Sequence, residues 1–215
     1  MEFKDQDLAI FKKGSYVPID NDFITDAIKS MQPLYDIQEK YNKHDTDTFI
    51  NEIRDSLVGR YLGFELINEH KHGLDGKKAA SNQYLEVKQA SFSAQTWGGT
   101  FNDTNLEKAE AFKDKKTFLV VAIWDGMTEL LAMVYGQNPE IGNFLETAVR
   151  RVANSSTRST QSLSVGNLVN TYGFKVIAPP NRSKDDVRQL FITKSASFRA
   201  TPSDAFVDYD EFVGQ

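Results

Sequence analysis

Cysteine is absent from the 215 residues, so neither a disulfide nor a thiolate takes part in whatever this chain does. Histidine occurs three times, and His44 and His70 have no Cys or His partners at a zinc-binding spacing. No apolar run approaches the roughly 18 residues that a membrane span needs. The opening MEFKDQDLAIFKKG lacks the apolar stretch of a signal peptide. These absences lead to the expectation of a protein with no membrane partner, working in a reducing interior, the cytoplasm; lack of cysteine alone fits other compartments too. A hydrophobic share of 40% and a charged share of 26% describe an ordinary globular chain. Its length suffices for one substantial core, and a single domain over residues 1–215 is expected.

The net charge of −5 is unevenly distributed. Residues 147–200 hold nine Lys/Arg against Asp185 and Asp186, a balance of +7, and residues 70–116 hold eight lysines against six acids. The acids concentrate in residues 1–60, 117–146 and 201–215. A polyanion responds to the local field and not to the total. The distal basic segment therefore points to nucleic acid, with an unevenly charged solvated surface as the plain alternative.

Periodicity gives a coarse order of elements. Phe23, Ile24, Ala27, Ile28 and Met31 predict a helix over 20–31 that Pro33 interrupts. A second helix is predicted over about 47–62, with a face of Ile50, Ile53, Leu57 and Tyr61 and a cap at Asp47 or Thr48. Short strands follow near 64–68, 72–76 and 84–88. Asn105–Lys113 reads as a helix capped by Asp103 or Thr104, with Leu106, Ala109 and Phe112 on one side. The run FLVVAIW at 118–124 is too continuously apolar for an edge and predicts a strand covered on both faces. A helix leading into a buried strand implies a crossover, hence an α/β fold with a central mixed β-sheet flanked by helices. A strand at 129–135, a helix over Pro139–Val152, a short helix at 164–172 and a strand at 174–178 complete the reading.

Chemistry concentrates in residues 71–91, KHGLDGKKAASNQYLEVKQAS. In a strand over Tyr84–Lys88, Leu85 and Val87 share one face while Glu86 and Lys88 share the other. Asp75, eleven residues before Glu86, is close enough for a neighbouring strand to bring the two acids together. Two carboxylates with a shared open side suit Mg²⁺, a hard cation that keeps waters and joins protein oxygens to phosphate. Lys88 beside them is placed to offset charge on a phosphoryl transition state. Plainer readings stand beside these. Asp75–Gly76 is a strong turn signal, Glu86 and Lys88 fit a solvated strand face, and His72 reads as a phosphate contact or as a loop histidine.

The pattern Asp75, Glu86-x-Lys88 resembles the PD-(D/E)XK nuclease superfamily, with Leu74 standing where the name-giving proline would be. The resemblance covers about residues 47–124 and implies a restriction-endonuclease-like core of helix, three strands, helix and strand. It implies that Asp75 and Glu86 bind metal and that Lys88 is catalytic. A helix glutamate often completes such sites, and Glu52 is the matching candidate, with a surface acid as its plain alternative. Compact length and a basic distal segment are similar to type II restriction endonucleases. The function expected on this basis is Mg²⁺-dependent hydrolysis of double-stranded DNA at specific sequences by a homodimer. Its core spans about 47–135 and its basic DNA-contact elaboration about 147–200. A structure-specific repair or recombination nuclease, or an inactive nucleic-acid-binding module on the same fold, are the alternatives.

Within the distal segment, Arg158, Gln161 and Asn167 are side chains able to read base edges, while Arg182 and Arg188 suit phosphate docking. The stretch 154–167 reads equally as a linker. In the loop Ser91–Asn102, Trp97 either stacks on a displaced base or seals the edge of the sheet.

Overall fold

The computed structural model describes residues 21–41, 46–66, 74–78, 80–102, 104–126, 128–152 and 160–214. The chain divides into two compact units, Met1–Phe49 and Ile50–Gln215. The first contributes helix α1 (Asn21–Tyr41) and the start of α2 (Thr46–Tyr61). Helix α1 does not stop at Pro33 but runs through it for another two turns. Proline removes one N–H donor and kinks a helix without having to end it.

The second unit is built on a mixed seven-stranded sheet in the order β1 (Glu65–Leu66), β2 (Gly76–Lys78), β3 (Gln83–Ser91), β5 (Thr117–Asp125), β6 (Glu129–Gly136), β8 (Lys175–Ile177) and β9 (Phe206–Val207). Strand β3 runs parallel to β5, pairing Glu86 with Leu119 and Lys88 with Val121. The crossover between them carries β4 (Gly98–Phe101) and helix α3 (Leu106–Lys113). Strands β5, β6 and β8 are antiparallel neighbours, and β9 returns parallel to β8. The expected mixed sheet flanked by helices is what forms.

Strand β5 shows why the sheet needs cover on both sides. Leu119, Val121 and Ile123 enter one core cluster while Val120, Ala122 and Trp124 enter the other, all of them buried. Helix α2 covers the second face through Val58 and Leu62. Helices α3, α4 (Glu140–Val152), α5 (Val165–Asn170) and α6 (Lys184–Lys194) contribute to the first, with Ala109, Phe112, Ile141, Leu145, Leu168, Val187 and Phe191. The predicted stripe of α4 is the one that packs. Helix α3 is capped by Asn105, whose side chain accepts from the Lys108 amide at 2.7 Å, and not by Thr104; Asp103 lies outside the described residues.

Three differences from the sequence reading bear on the site. Helix α2 keeps Leu57 and Tyr61 of its predicted face against the core, but Ile53 is 49% exposed and the buried positions are Val58 and, just beyond the helix, Leu62. The stretch around 72–76 forms its strand later, at Gly76–Lys78, and Asp75–Gly76 is not the hairpin turn. Asp75 already donates its amide to the Leu85 carbonyl at 2.8 Å; the chain reverses beyond Lys78, where Asn82 takes a positive φ of 52°. Finally, Gln161–Ser164 is strand β7, paired antiparallel with β4 as a small second sheet, and not part of a linker.

The sequence reading gave no elements beyond residue 178. There the fold adds α6, two 3₁₀ turns (Ala196–Ala200 and Ser203–Ala205), β9 and helix α7 (Tyr209–Val213). Phe191 of α6 lies against Trp97, Phe198 and Phe206, with ring centroids 5.0–5.5 Å apart. Trp97 is accordingly 4% exposed, its indole N–H donating to the Phe92 carbonyl at 3.1 Å, so it is a core residue and not a stacking platform for a base. Phe191→Ala is expected to lower unfolding free energy by about 3–5 kcal/mol, the usual cost of emptying a large aromatic site. Urea unfolding measures it, and a change below about 1 kcal/mol would show that α6 lies outside the cooperative core.

Candidate active site

The two expected acids come near each other where the chain enters β2. Asp75 directly precedes that strand, its amide donating to the Leu85 carbonyl at 2.8 Å, and the charge of Glu86 acts on its carboxyl. Asp75 is fixed there by its own carboxylate, which accepts the Val87 amide at 2.7 Å. Lys88 lies two residues along β3 from Glu86, so their side chains share a face, and its Nζ reaches Glu86 Oε1 at 2.5 Å.

That face is closed and not open. Helix α3 and strand β4 lie over it, leaving Glu86 1% exposed and Lys88 20%. A solvated strand face is thereby excluded. Gly99 of β4 is in contact with the Lys88 stem; a Cβ there would stand 3.0 Å from Lys88 Cβ and Cγ and 3.2 Å from Val121 Cγ2. Phe101 of β4 presents its ring to Lys88 Nζ at 5.3 Å.

The same cover supplies a residue the sequence reading missed. Lys108, on α3, places its Nζ 2.6 Å from Glu86 Oε1, making two ammonium groups on one carboxylate oxygen. Glu86 Oε2 is buried and has no hydrogen-bond partner among the described residues. Nothing in the spacing between 86 and 108 signals this pair, because it depends on where the crossover helix lands.

Helix α2 brings a further acid to β3. Asp55 accepts Gln89 Nε2 at 2.7 Å, while Gln89 also lies 3.3 Å from the Asn51 carbonyl and receives Arg54 at 3.2 Å. Glu52 sits on the same helix, half-buried. Asp55 is a helix acid whose charge acts on Asp75 and is itself acted on by Glu86 and Lys88. Burial is the main force raising its carboxyl to about 6, with Glu86 adding to it and Gln89, Lys88 and Arg54 opposing.

Asp75 is pushed further, up to about 7, first by burial and then by the charge of Glu86, against the opposing pull of the Val87 N–H and Lys88. Burial works against the Lys88 ammonium, yet Glu86, Asp75 and Asp55 outweigh it and hold its pKa above the ordinary value. Acids forced together in a low-dielectric site and balanced by lysine are arranged to hold added positive charge. Carboxylate oxygens, one of them buried and unpartnered, fit a hard divalent cation. Among the described residues no group of three or more His, Asp or Glu is gathered closely enough to hold a metal by itself. A Mg²⁺ ion here would take oxygens from Asp75 and Glu86 and the remainder from water and substrate.

The candidate DNA-contact residues are dispersed. Arg158 and His72 lie outside the described residues, as do His44 and His70. Gln161 is half-buried on β7, and Asn167 is exposed on α5. Arg182 is ion-paired with Glu129, and Arg188 is half-buried on α6 with its Nε buried and unpartnered among the described residues. Several cations of the basic segment are matched by acids that lie outside it in sequence. Arg150 pairs with Glu146, Lys175 with Asp204, and Lys184 with Asp208 and Glu211. Folding thus offsets part of the +7 counted along the chain.

Compared with protein-family models and with curated proteins, the sequence matches none. No helix among the described residues is long and apolar enough to cross a membrane.

The raised Asp75 carboxyl makes stability depend on pH in a definite direction. The group keeps its proton up to about 7 in the folded protein and loses it near its ordinary 3.8 when unfolded. Between those values the native state holds more protons, so its contribution to stability falls as pH rises. Asp75→Asn keeps an acceptor for Val87 without the charge. In chelator-treated protein it should match the wild type near pH 4 and become progressively more stable through pH 7, by a few kcal/mol at most. Urea unfolding at pH 4, 6 and 8 checks this, and a difference flat across that range would mean that Asp75 is not held protonated by the fold.

Proposed function

We propose that this chain is a Mg²⁺-dependent endonuclease that hydrolyses DNA phosphodiester bonds, cutting double-stranded DNA at specific sequences as a homodimer. One observation carries the reading: Asp75 is bonded to Leu85 and Val87 on either side of Glu86 and feels its charge, and Lys88 is ion-paired to Glu86 on the same strand face. Hydrolysis adds water to phosphorus and releases an alcohol and a phosphate monoester, so the site must manage negative charge and needs no organic cofactor. The bound ion supplies Lewis acidity for that reaction. Asp75 and Glu86 hold it. Lys88, fixed by Glu86 and by the close approach of Gly99, is positioned to offset charge on the phosphoryl oxygens. Asp55 contributes negative charge from the helix in preference to Glu52, the candidate taken from the resemblance.

DNA docking falls to the distal basic segment, with Arg158, Gln161 and Asn167 for sequence and Arg188 for phosphates, Arg182 being ion-paired with Glu129. For cleavage of both strands at a palindromic site, a homodimer matches two equivalent centres to the symmetry of the duplex. Cytoplasmic location belongs to the same proposal.

A second reading is favoured by a specific observation. Glu86 is almost fully buried, and one of its oxygens already carries two ammonium groups. Such an arrangement equally suits a binding module in which these charges only hold the sheet to its crossover.

Incubation with Mg²⁺ and plasmid, single-stranded and branched DNA decides between them. Discrete plasmid fragments support the proposal, products from junctions alone support a structure-selective nuclease, and binding without cleavage supports the module. Asp75→Ala, Glu86→Gln and Lys88→Ala are each expected to lower single-turnover cleavage by about 10²-fold or more, with folding retained by circular dichroism. Asp55→Asn should cost more activity than Glu52→Gln. Gly99→Ala, which forces Lys88 to move, should reduce the cleavage rate with little change in DNA affinity measured in Ca²⁺. Wild-type turnover in the Glu86 variant would remove the site from the mechanism.

A further inference from the structure

A separate polar cavity of about 190 Å³ opens beside Trp97, where the start of β4, the β7–α5 junction and the end of α6 converge. Thr96, Ser164, Lys194, Ser195 and Ser197 line it, and among the described residues no acidic side chain does. By water's share of liquid volume, roughly 30 Å³, it holds about six waters, enough for a phosphate group.

Its donors are left over from the fold. Lys194 gives two of its three ammonium protons to the carbonyls of Phe92 and Ala94, at 3.1 and 2.5 Å, and rests over the Trp97 ring at 5.2 Å. Carbonyls and rings hold the cation without neutralising it, and among the described residues it meets no carboxylate. Ser164 Oγ accepts the Asn167 amide, which leaves its own proton to donate. Ser195 Oγ accepts the Ser197 amide, and the two hydroxyls bond to each other at 2.8 Å, so one of their protons remains. A full positive charge, at least two hydroxyl protons with fixed oxygens, and no competing acid suit the non-bridging oxygens of a phosphate.

Position suggests the source. Trp97 is two residues from Gly99, which is in contact with Lys88. The cavity and the Lys88 site thus adjoin the same short stretch of chain, Trp97–Gly99. We propose that the Lys194 cavity binds a non-scissile backbone phosphate of DNA and so sets the path of the strand past the Lys88 site. This rests on the nuclease reading above, and the experiment separates the two.

Binding of a fluorescent duplex in Ca²⁺, with cleavage suppressed, is measured across a salt series for the wild type, Lys194→Met and Thr96→Glu. The glutamate variant leaves the Lys194 carbonyl bonds in place and adds a repelling charge on an exposed residue, so it stands if the lysine variant fails to fold. In parallel, inorganic phosphate is titrated while the amide resonances of residues 95–97 and 195–197 are followed. The expected result is phosphate-dependent shifts in the wild type, their loss in both variants, and a loss of duplex affinity of about tenfold or more. For Lys194→Met the salt slope should also become shallower by about 0.9, one phosphate's share.

Folded variants that bind duplex as the wild type does overturn the proposal, as does a wild type that binds no duplex. Phosphate shifts with unchanged duplex binding overturn it too, by assigning the cavity to free phosphate. If the variants lose duplex affinity while the wild type cleaves no DNA under any condition, the subsite stands and the nuclease reading falls.

Discussion

Strands β3 and β5 run parallel, and a parallel pair cannot be joined by a tight turn. The chain between them must leave the sheet, cross one face and return, and what it carries across is β4 and α3. That single requirement puts Phe101, Gly99 and Lys108 over Glu86 and Lys88. It turns two polar residues on a strand face into a buried ion cluster and brings in a second lysine that no local pattern predicts. The other face carries Leu85 and Val87 into the cluster with Val58 and Leu62 of α2, so β3 is held from both sides.

The electrostatics follow from that cover. Carboxylates that solvent would screen are pressed together in a poorly polarisable setting, and the two whose pKa rises, Asp75 and Asp55, are raised mainly by burial. Lys88 and Lys108 offset the charge of Glu86 without relieving Asp75 completely. Among the described residues Glu86 Oε2 is buried without a partner, and it is this atom that the proposed ion would meet. The small sheet of β4 and β7 has a second consequence. It fixes Trp97 in the core beside Phe191 and leaves Lys194 bonded, among the described residues, to the Phe92 and Ala94 carbonyls at the edge of a cavity partly lined with hydroxyls.

Much of this fold was legible from the sequence, for reasons tied to particular residues. FLVVAIW announces a strand buried on both faces, and Leu119 through Trp124 divide alternately between the two cores. The stripe from Ile141 to Val149 defines α4 because a strongly one-sided helix admits one orientation. Alternation in Tyr84–Lys88 separates Leu85 and Val87 from Glu86 and Lys88 whatever packs around them. The approach of Asp75 to β3 is legible in eleven residues of spacing and a turn rich in small and polar residues, and Asp75 bonds to Leu85 and Val87 there.

The sequence by itself therefore determined element types, the mixed sheet and which residues of β3 share a face, since these follow from the period of the backbone and the burial of apolar side chains. Only the tertiary structure decided which residues of α2 are buried, and so that Asp55 acts on Asp75. Ile53 and Val58 are both apolar, and packing against Leu85 and Val87 chooses between two faces that periodicity leaves nearly equal. Tertiary structure also decided that Trp97 lies inside, that Lys108 reaches Glu86, and that Arg182 spends its charge on Glu129. Each is a contact between segments far apart in the chain, where local sequence carries no information about distance.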